Sequence, residues 1–154
     1  MRYLLLDRID ELKKLEYAVG TKCVALSEDC FEHHFPGQPV YPGALLIESL
    51  AQLGGALLEL SLRGTGDHQP RCVLSSVKAR FHEFVRPGDA LKLRAEVVSR
   101  HPDSALVRHL ATRDGARVCQ ADIIYVFLRV DDPVLEAGRR QLLEVLTRTT
   151  RFIE

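Results

Sequence analysis

An α+β fold, in which an antiparallel sheet wraps round one long central helix, is the architecture this sequence predicts. Three observations carry the prediction. The run from Pro42-Gly43 to Leu58 holds the most apolar helical pattern in the chain, with Leu45, Leu46, Ile47, Leu50, Leu53, Leu57 and Leu58 leaving little polar surface. After a polar loop at 63–70 the pattern turns to strand-like alternation punctuated by turns. Asp114-Gly115 separates two of those runs and is a strong hairpin signal. One helix followed by a meander of strands implies segregated layers rather than alternating β-α units.

In order along the chain, residues 1–27 admit two readings. Leu5, Ile9, Leu12 and Leu15 fall at helical spacing, whereas 17–26 is rich in strand formers and roughly alternates. Periodicity alone therefore gives a helix followed by a strand. Residues 28–42 form a loop, because Pro36-Gly37 and Pro42-Gly43 cannot continue a helix or a central strand. Pro42 suits a first helical turn, where its missing N–H costs nothing, and starts a helix of about four turns. Gly54-Gly55 in its interior costs roughly 1 kcal/mol each relative to Ala, which points to close packing against a sheet.

Residues 71–78 and 79–85 read as a strand and its continuation, and 86–89 as a turn. Residues 91–100 form a strand with Leu91, Leu93, Ala95 and Val97 facing inward, and His101-Pro102-Asp103 turns the chain again. Strands at 105–112 and 118–130 flank the Asp-Gly hairpin. Asp131-Asp132-Pro133 opens a C-terminal helix. Acidic residues lie at its start and Arg139, Arg140 and Arg148 later, the order a helix dipole favours. Leu135, Leu142, Leu143, Leu146 and Phe152 supply an apolar stripe, which docks the helix on its own domain or makes it an interaction arm.

The 154 residues suit a single domain over 1–154, with a core at about 3–130 and a helical extension at about 132–150. Lys+Arg and Asp+Glu balance at 21 each, which argues against nucleic acid as the main partner. No basic-apolar-small pattern marks a signal peptide, and no uninterrupted apolar run approaches the roughly 20 residues that span a bilayer. Cys23, Cys30, Cys72 and Cys119 form no CxxC and fit free thiols in a reducing cytosol, so the expected location is cytoplasmic.

The stretch from Phe31 to Glu59 carries the chemistry. His33 and His34 precede the two Pro-Gly pairs, and Glu48 sits inside the apolar helix. A carboxylate on a buried helix needs a partner or a task, and a histidine just upstream of a tight turn can supply either. Residue type alone leaves a stabilising His34–Glu48 pair and an acid-base pair both open. Gln52, one turn after Glu48, shares its helix face and either orients the carboxylate or satisfies a buried polar atom. His33 is a group behind His34 or a surface bystander. Adjacent residues in an extended chain point opposite ways, which argues against a metal held by both histidines. No GxGxxG, Walker or GxSxG pattern occurs, so no nucleotide site, serine nucleophile, metal or cofactor is expected.

His34-Phe35-Pro36-Gly37, followed by Pro39-Val40, Pro42-Gly43, Leu46-Ile47-Glu48 and Ala51-Gln52, resembles the β-hydroxyacyl-(acyl carrier protein) dehydratases of the FabZ/FabA type. Their pattern is HFPGxPVxPG and then a helix with an acidic residue fourteen positions after the histidine, the spacing of His34 and Glu48. Leu4 to Arg8 resembles the family's opening LLVDR, and Lys78 to Phe81 with Arg86 to Asp89 resembles its KxRFxxxVxPGD segment. The likeness covers residues 3 to about 130. Three departures stand out: His33 replaces the usual Gly, the segment 81–84 lacks the basic residues common there, and the C-terminal helix runs past the usual end.

The resemblance implies the hotdog fold, with a hairpin near Lys13–Glu16 in place of an opening helix. It implies a homodimer or trimer of dimers in which His34 of one subunit faces Glu48 of its neighbour. The implied reaction removes water from a 3-hydroxyacyl thioester on acyl carrier protein, in fatty-acid or related lipid or polyketide synthesis. His34 would be the base, Glu48 the acid and the Gly43 N–H the oxyanion donor. Phe35, Tyr41, Pro42 and Gln52 would contact substrate, although Tyr41 could equally pack. Competing readings are a hotdog acyl thioesterase, in which Glu48 activates water, and a non-catalytic acyl-binding subunit. The HFPG segment speaks against the thioesterase, because hydrolysis has no need of that histidine.

Overall fold

The computed structural model describes residues 3–64 and 69–154; His68, in the expected polar loop, lies outside them. Seven strands form one sheet in the order β3-β6-β5-β4-β2-β1-β7, and the long helix α1, Gly43–Leu62, lies across its inner face. The strands are β1 Arg8–Lys13, β2 Tyr17–Cys23, β3 Pro70–Phe81, β4 Ala90–Arg100, β5 Ser104–Arg113, β6 Ala116–Arg129 and β7 Arg151–Ile153. A second helix, α2, spans Pro133–Leu146.

Alternation explains the curvature and the core. Leu91, Leu93 and Ala95 on β4 and Val107 and Ala111 on β5 are buried, with polar residues between them. Bulges between Leu74 and Ser76, Val97 and Ser99, and Ala111 and Thr112 bend the strands so that the sheet closes round α1. Asp114 and Gly115, at φ 50° and 82°, make the tight turn joining β5 to β6. The N-terminal segment is the hairpin β1–β2, not a helix. Its turn places Leu15 at φ 60°, a conformation costly for a branched side chain, and the Leu15 N–H donates to Ser61 Oγ on α1 at 2.9 Å.

Several expectations change. α1 runs for 20 residues rather than four turns, because Leu60 and Leu62 also find burial inside the curved sheet. It is long and apolar enough to cross a membrane by composition, yet 78% of that window is buried inside the fold. The two segments expected at 71–85 are one strand ending at Phe81. Val97 is only half-buried, because the bulge beside it turns the strand. Gly54 does mark a close approach: a Cβ there would collide with His109 Nε2 and Tyr125 Oη. Gly55 has ordinary room, with its nearest neighbours at 3.9 Å.

The C-terminal segment docks on its own domain. Asp132 caps α2, its side chain accepting from the Val134 and Leu135 N–H groups. Leu143 and Leu146 join the core, while Leu135 and Phe152 stay exposed, so the stripe is shorter than expected. No basic residue lies in the last turn of α2. Arg139 instead reaches the buried Glu59 of α1 at 2.7 Å, giving that carboxylate an opposite charge. After α2 the chain adds β7, unforeseen in the sequence, which pairs parallel with β1 and makes the sheet mixed.

Candidate active site

The loop before α1 is pinned at both ends by backbone bonds. A single 3-10 turn, Asp29–Glu32, leads into it, and the His34 N–H donates to Cys30 O at 3.1 Å. The Val40 N–H returns to His34 O at 2.9 Å, and Phe35 and Gln38 exchange N–H···O bonds at 3.2 and 3.0 Å. Gly37, at φ 75°, turns the chain between them, a conformation only glycine adopts freely. The His34–Phe35 peptide is cis, and the two rings stack with centroids 4.1 Å apart.

His34 Nδ1 lies 2.7 Å from Val40 O. A carbonyl only accepts, so Nδ1 carries the proton and Nε2 presents a lone pair. The ring is half-buried. His33 is exposed, as a surface bystander would be.

Pro42 is the N-cap of α1, and its carbonyl accepts from the Leu45 and Leu46 N–H groups at 3.0 and 3.1 Å. Gly43 opens the helix, where an N–H has no intrahelical acceptor and the dipole favours negative charge. The Phe81 ring covers it: a Cβ on Gly43 would lie 2.9 Å from Phe81 Cζ. Phe81 is half exposed at the end of β3. The sequence motif contained it, but its place over the helix start needed the sheet to be folded.

Glu48 is half-buried rather than sequestered. Its Oε1 accepts from Gln52 Nε2 at 3.0 Å. Gln52 also donates to Tyr3 O at 3.1 Å and accepts from the Leu5 N–H at 2.9 Å. The glutamine therefore ties the carboxylate to the N-terminal segment. Tyr41 is buried beside Phe31, and its hydroxyl has no hydrogen-bond partner among the described residues. Burial pushes that phenol well above its usual range. Phe35 is half exposed, stacked on His34.

Within one chain His34 and Glu48 do not meet: each is bonded elsewhere, and no ion pair joins them among the described residues. No cluster of three metal-ligating side chains occurs among those residues either. Two surface grooves, of about 770 and 730 Å³, lie along the sheet strands and include neither residue.

A curved sheet wrapped on one long helix, with a histidine loop leading into that helix, defines a hotdog protein. Comparisons with known proteins agree. The FabA-like domain model matches residues 1–122. The chain is 40% identical over 126 residues to the 3-hydroxyacyl-[acyl-carrier-protein] dehydratase FabZ of Clostridium acetobutylicum, covering 81% of this chain and 87% of that one. It is 38% identical over 132 residues to the FabZ of Levilactobacillus brevis, covering 85% and 87%. Among solved structures, AziG of S. sahachiroi superposes with a TM-score of 0.64 at 18% identity, over 80% of this chain and 91% of that one. A hypothetical thioesterase of Streptococcus pneumoniae in complex with coenzyme A gives 0.63 at 17%, over 81% and 88%, a likeness of fold. The chain belongs to the FabA-like family, as a FabZ-type hotdog dehydratase.

Proposed function

We propose that this chain converts 3-hydroxyacyl thioesters, carried on acyl carrier protein, to trans-2-enoyl thioesters in fatty-acid or related lipid synthesis. The observation that carries the reading is the Nδ1–H···O bond to Val40, which leaves His34 Nε2 basic beside the start of α1. The relatives' names supply the substrate class. Nε2 takes the C2 proton, and the C–H electron pair becomes the C2=C3 bond. The C3–O bond breaks as Glu48 of the neighbouring subunit gives its proton to the departing hydroxyl, releasing water. The proton on the imidazolium then passes to the carboxylate and resets the site. The Gly43 N–H receives the charge that builds on the thioester oxygen, and losing such a donor costs about 10²–10³ in rate.

That pairing needs two chains. β3 is a 12-residue edge strand that pairs on one side only, and Val73 and Leu74 are exposed on it. An open apolar edge of this length favours edge-to-edge pairing, which supports a homodimer. The free thiols support a cytoplasmic protein.

The test offers crotonyl and 3-hydroxydecanoyl thioesters and follows enoyl absorbance and free thiol together. Interconversion of hydroxy and enoyl forms without thiol release is expected. Thiol release identifies a thioesterase, and neither signal identifies an acyl-binding subunit.

A further inference from the structure

Two buried polar side chains of the sheet take no part in the chemistry set out above. His109 on β5 and Tyr125 on β6 are each 1% exposed and face α1. The Tyr125 hydroxyl donates to Ala51 O at 3.0 Å, and His109 Nε2 lies 3.2 Å from Tyr125 Oη. A hydroxyl has one proton to give. With that proton on Ala51 O, His109 Nε2–H is the donor to Tyr125. His109 Nδ1 is then a bare lone pair, without a hydrogen-bond partner among the described residues. Two hydrogen bonds in series thus run from β5 through β6 to the backbone of α1.

Filling this place with polar groups is unfavourable for the fold. The chain of bonds fits only because residue 54 is glycine: a Cβ there would lie 2.4 Å from both His109 Nε2 and Tyr125 Oη. Glycine inside a helix is destabilising, and so is a buried nitrogen with no partner. An apolar pair packed against alanine would hold helix to sheet without either penalty.

The chain of bonds ends beside Glu48. Ala51 follows Glu48 by three residues, and Gln52, which donates to its carboxylate at 3.0 Å, follows by four, so the three share one side of the helix. Burial pushes the Tyr125 phenol well above its usual range, and the charges of Cys72 and Glu48 push it the same way. The Glu48 carboxylate is therefore within electrostatic reach of that hydroxyl.

We propose that Tyr125, oriented by His109, is a positioning residue for Glu48, fixing the turn of α1 that carries it, an inference that rests on the dehydratase reading above. Glu48 has to meet His34 of the neighbouring subunit, and a small rotation of α1 about its axis carries the carboxyl out of line. Gln52 holds the carboxylate from the side of the N-terminal segment, and Tyr125 holds the helix turn from the side of the sheet. The pair acts through Glu48 and transfers no proton itself.

The experiment compares wild type, Tyr125→Phe, His109→Leu and His109→Gln. It measures kcat and KM on a 3-hydroxydecanoyl N-acetylcysteamine thioester, and the 13C resonance of the Glu48 carboxyl, assigned by its loss in Glu48→Gln. Tyr125→Phe and His109→Leu are expected to lower kcat about tenfold to a hundredfold, to leave KM within about twofold, and to move the Glu48 resonance. His109→Gln keeps an N–H donor and is expected to bring both readings back towards wild type, which a role in packing alone would not do. An unchanged Glu48 resonance or an unchanged kcat in Tyr125→Phe overturns the proposal, as does a loss in His109→Gln equal to that in His109→Leu. Where Tyr125→Phe fails to fold, the two His109 variants decide. Absence of turnover in wild type defeats the dehydratase reading alone, while the Glu48 resonance still decides whether Tyr125 positions the carboxyl.

Discussion

Glu48 and Glu59 stand on the same helix, eleven residues and about 16 Å apart along its axis. The helix treats them oppositely. Glu59 is 2% exposed, and its carboxylate is saturated by Arg139 at 2.7 Å, Arg71 at 3.5 Å and the Cys72 N–H at 3.2 Å. Glu48 is half-buried, and Gln52 is its one side-chain hydrogen-bond partner among the described residues. A saturated carboxylate cannot exchange a proton without losing its partners, whereas one held by a single amide keeps an oxygen free. The distal end of α1 is thus a clamp, and the proximal end is the workplace in the function proposed above.

The sharpest test of the contrast lies at the workplace. His34→Ala and Glu48→Gln are expected to lower kcat by about 10²–10⁴ each, with thermal unfolding nearly unchanged. A large drop in Tm with activity retained would exchange the roles of the two ends.

At the clamp the signature reverses. Glu59→Gln strands Arg139 and Arg71 and is expected to cost about 2–4 kcal/mol of stability. Tm, read by calorimetry, then falls by roughly 5–15 °C, while kcat at 25 °C is kept.

Between the ends, His109 is buried against Tyr125 Oη at 3.2 Å, and burial holds its imidazole down to about 4. The unfolded chain takes that proton near 6.5, so it binds more protons than the folded chain between those values. Stability is complete above pH 6.5 and falls by roughly 3 kcal/mol as pH drops to 4. Urea midpoints at pH 7 and pH 4.5 are expected to show that loss in wild type, and less of it in His109→Gln.

The smallest effect is expected from Gly54→Ala. Its methyl must displace His109 and Tyr125, at a cost of about 1–3 kcal/mol by urea unfolding.

The sequence made the proximal end legible because local chemistry defines it. Pro42, Gly43 and the adjacent histidines fall within a few residues and act through backbone geometry. The clamp was not legible: Glu59, Arg71 and Arg139 lie 12 and 80 residues apart and meet only when the sheet folds. Glu48 looked like the lone charge in an apolar run, while Glu59 closes that run and is the more deeply buried. The opening hairpin defeats periodicity because Ile9 and Leu12 are buried on either side of a bulge in β1 and Leu5 is buried just before the strand, mimicking helical spacing. Phe81 was read as motif rather than as the cover of Gly43, since that contact joins β3 to α1 across the fold. β7 went unseen because three residues carry no readable period.

β7 also bears on how copies of the chain can add to one another. Without it, both margins of the sheet would offer ladders, and stacking could continue into fibres. The three-residue strand, with Arg151 held by Glu11, blunts one margin and leaves β3 at the other. If copies pair through β3, as proposed above, growth by strand pairing would end at two chains.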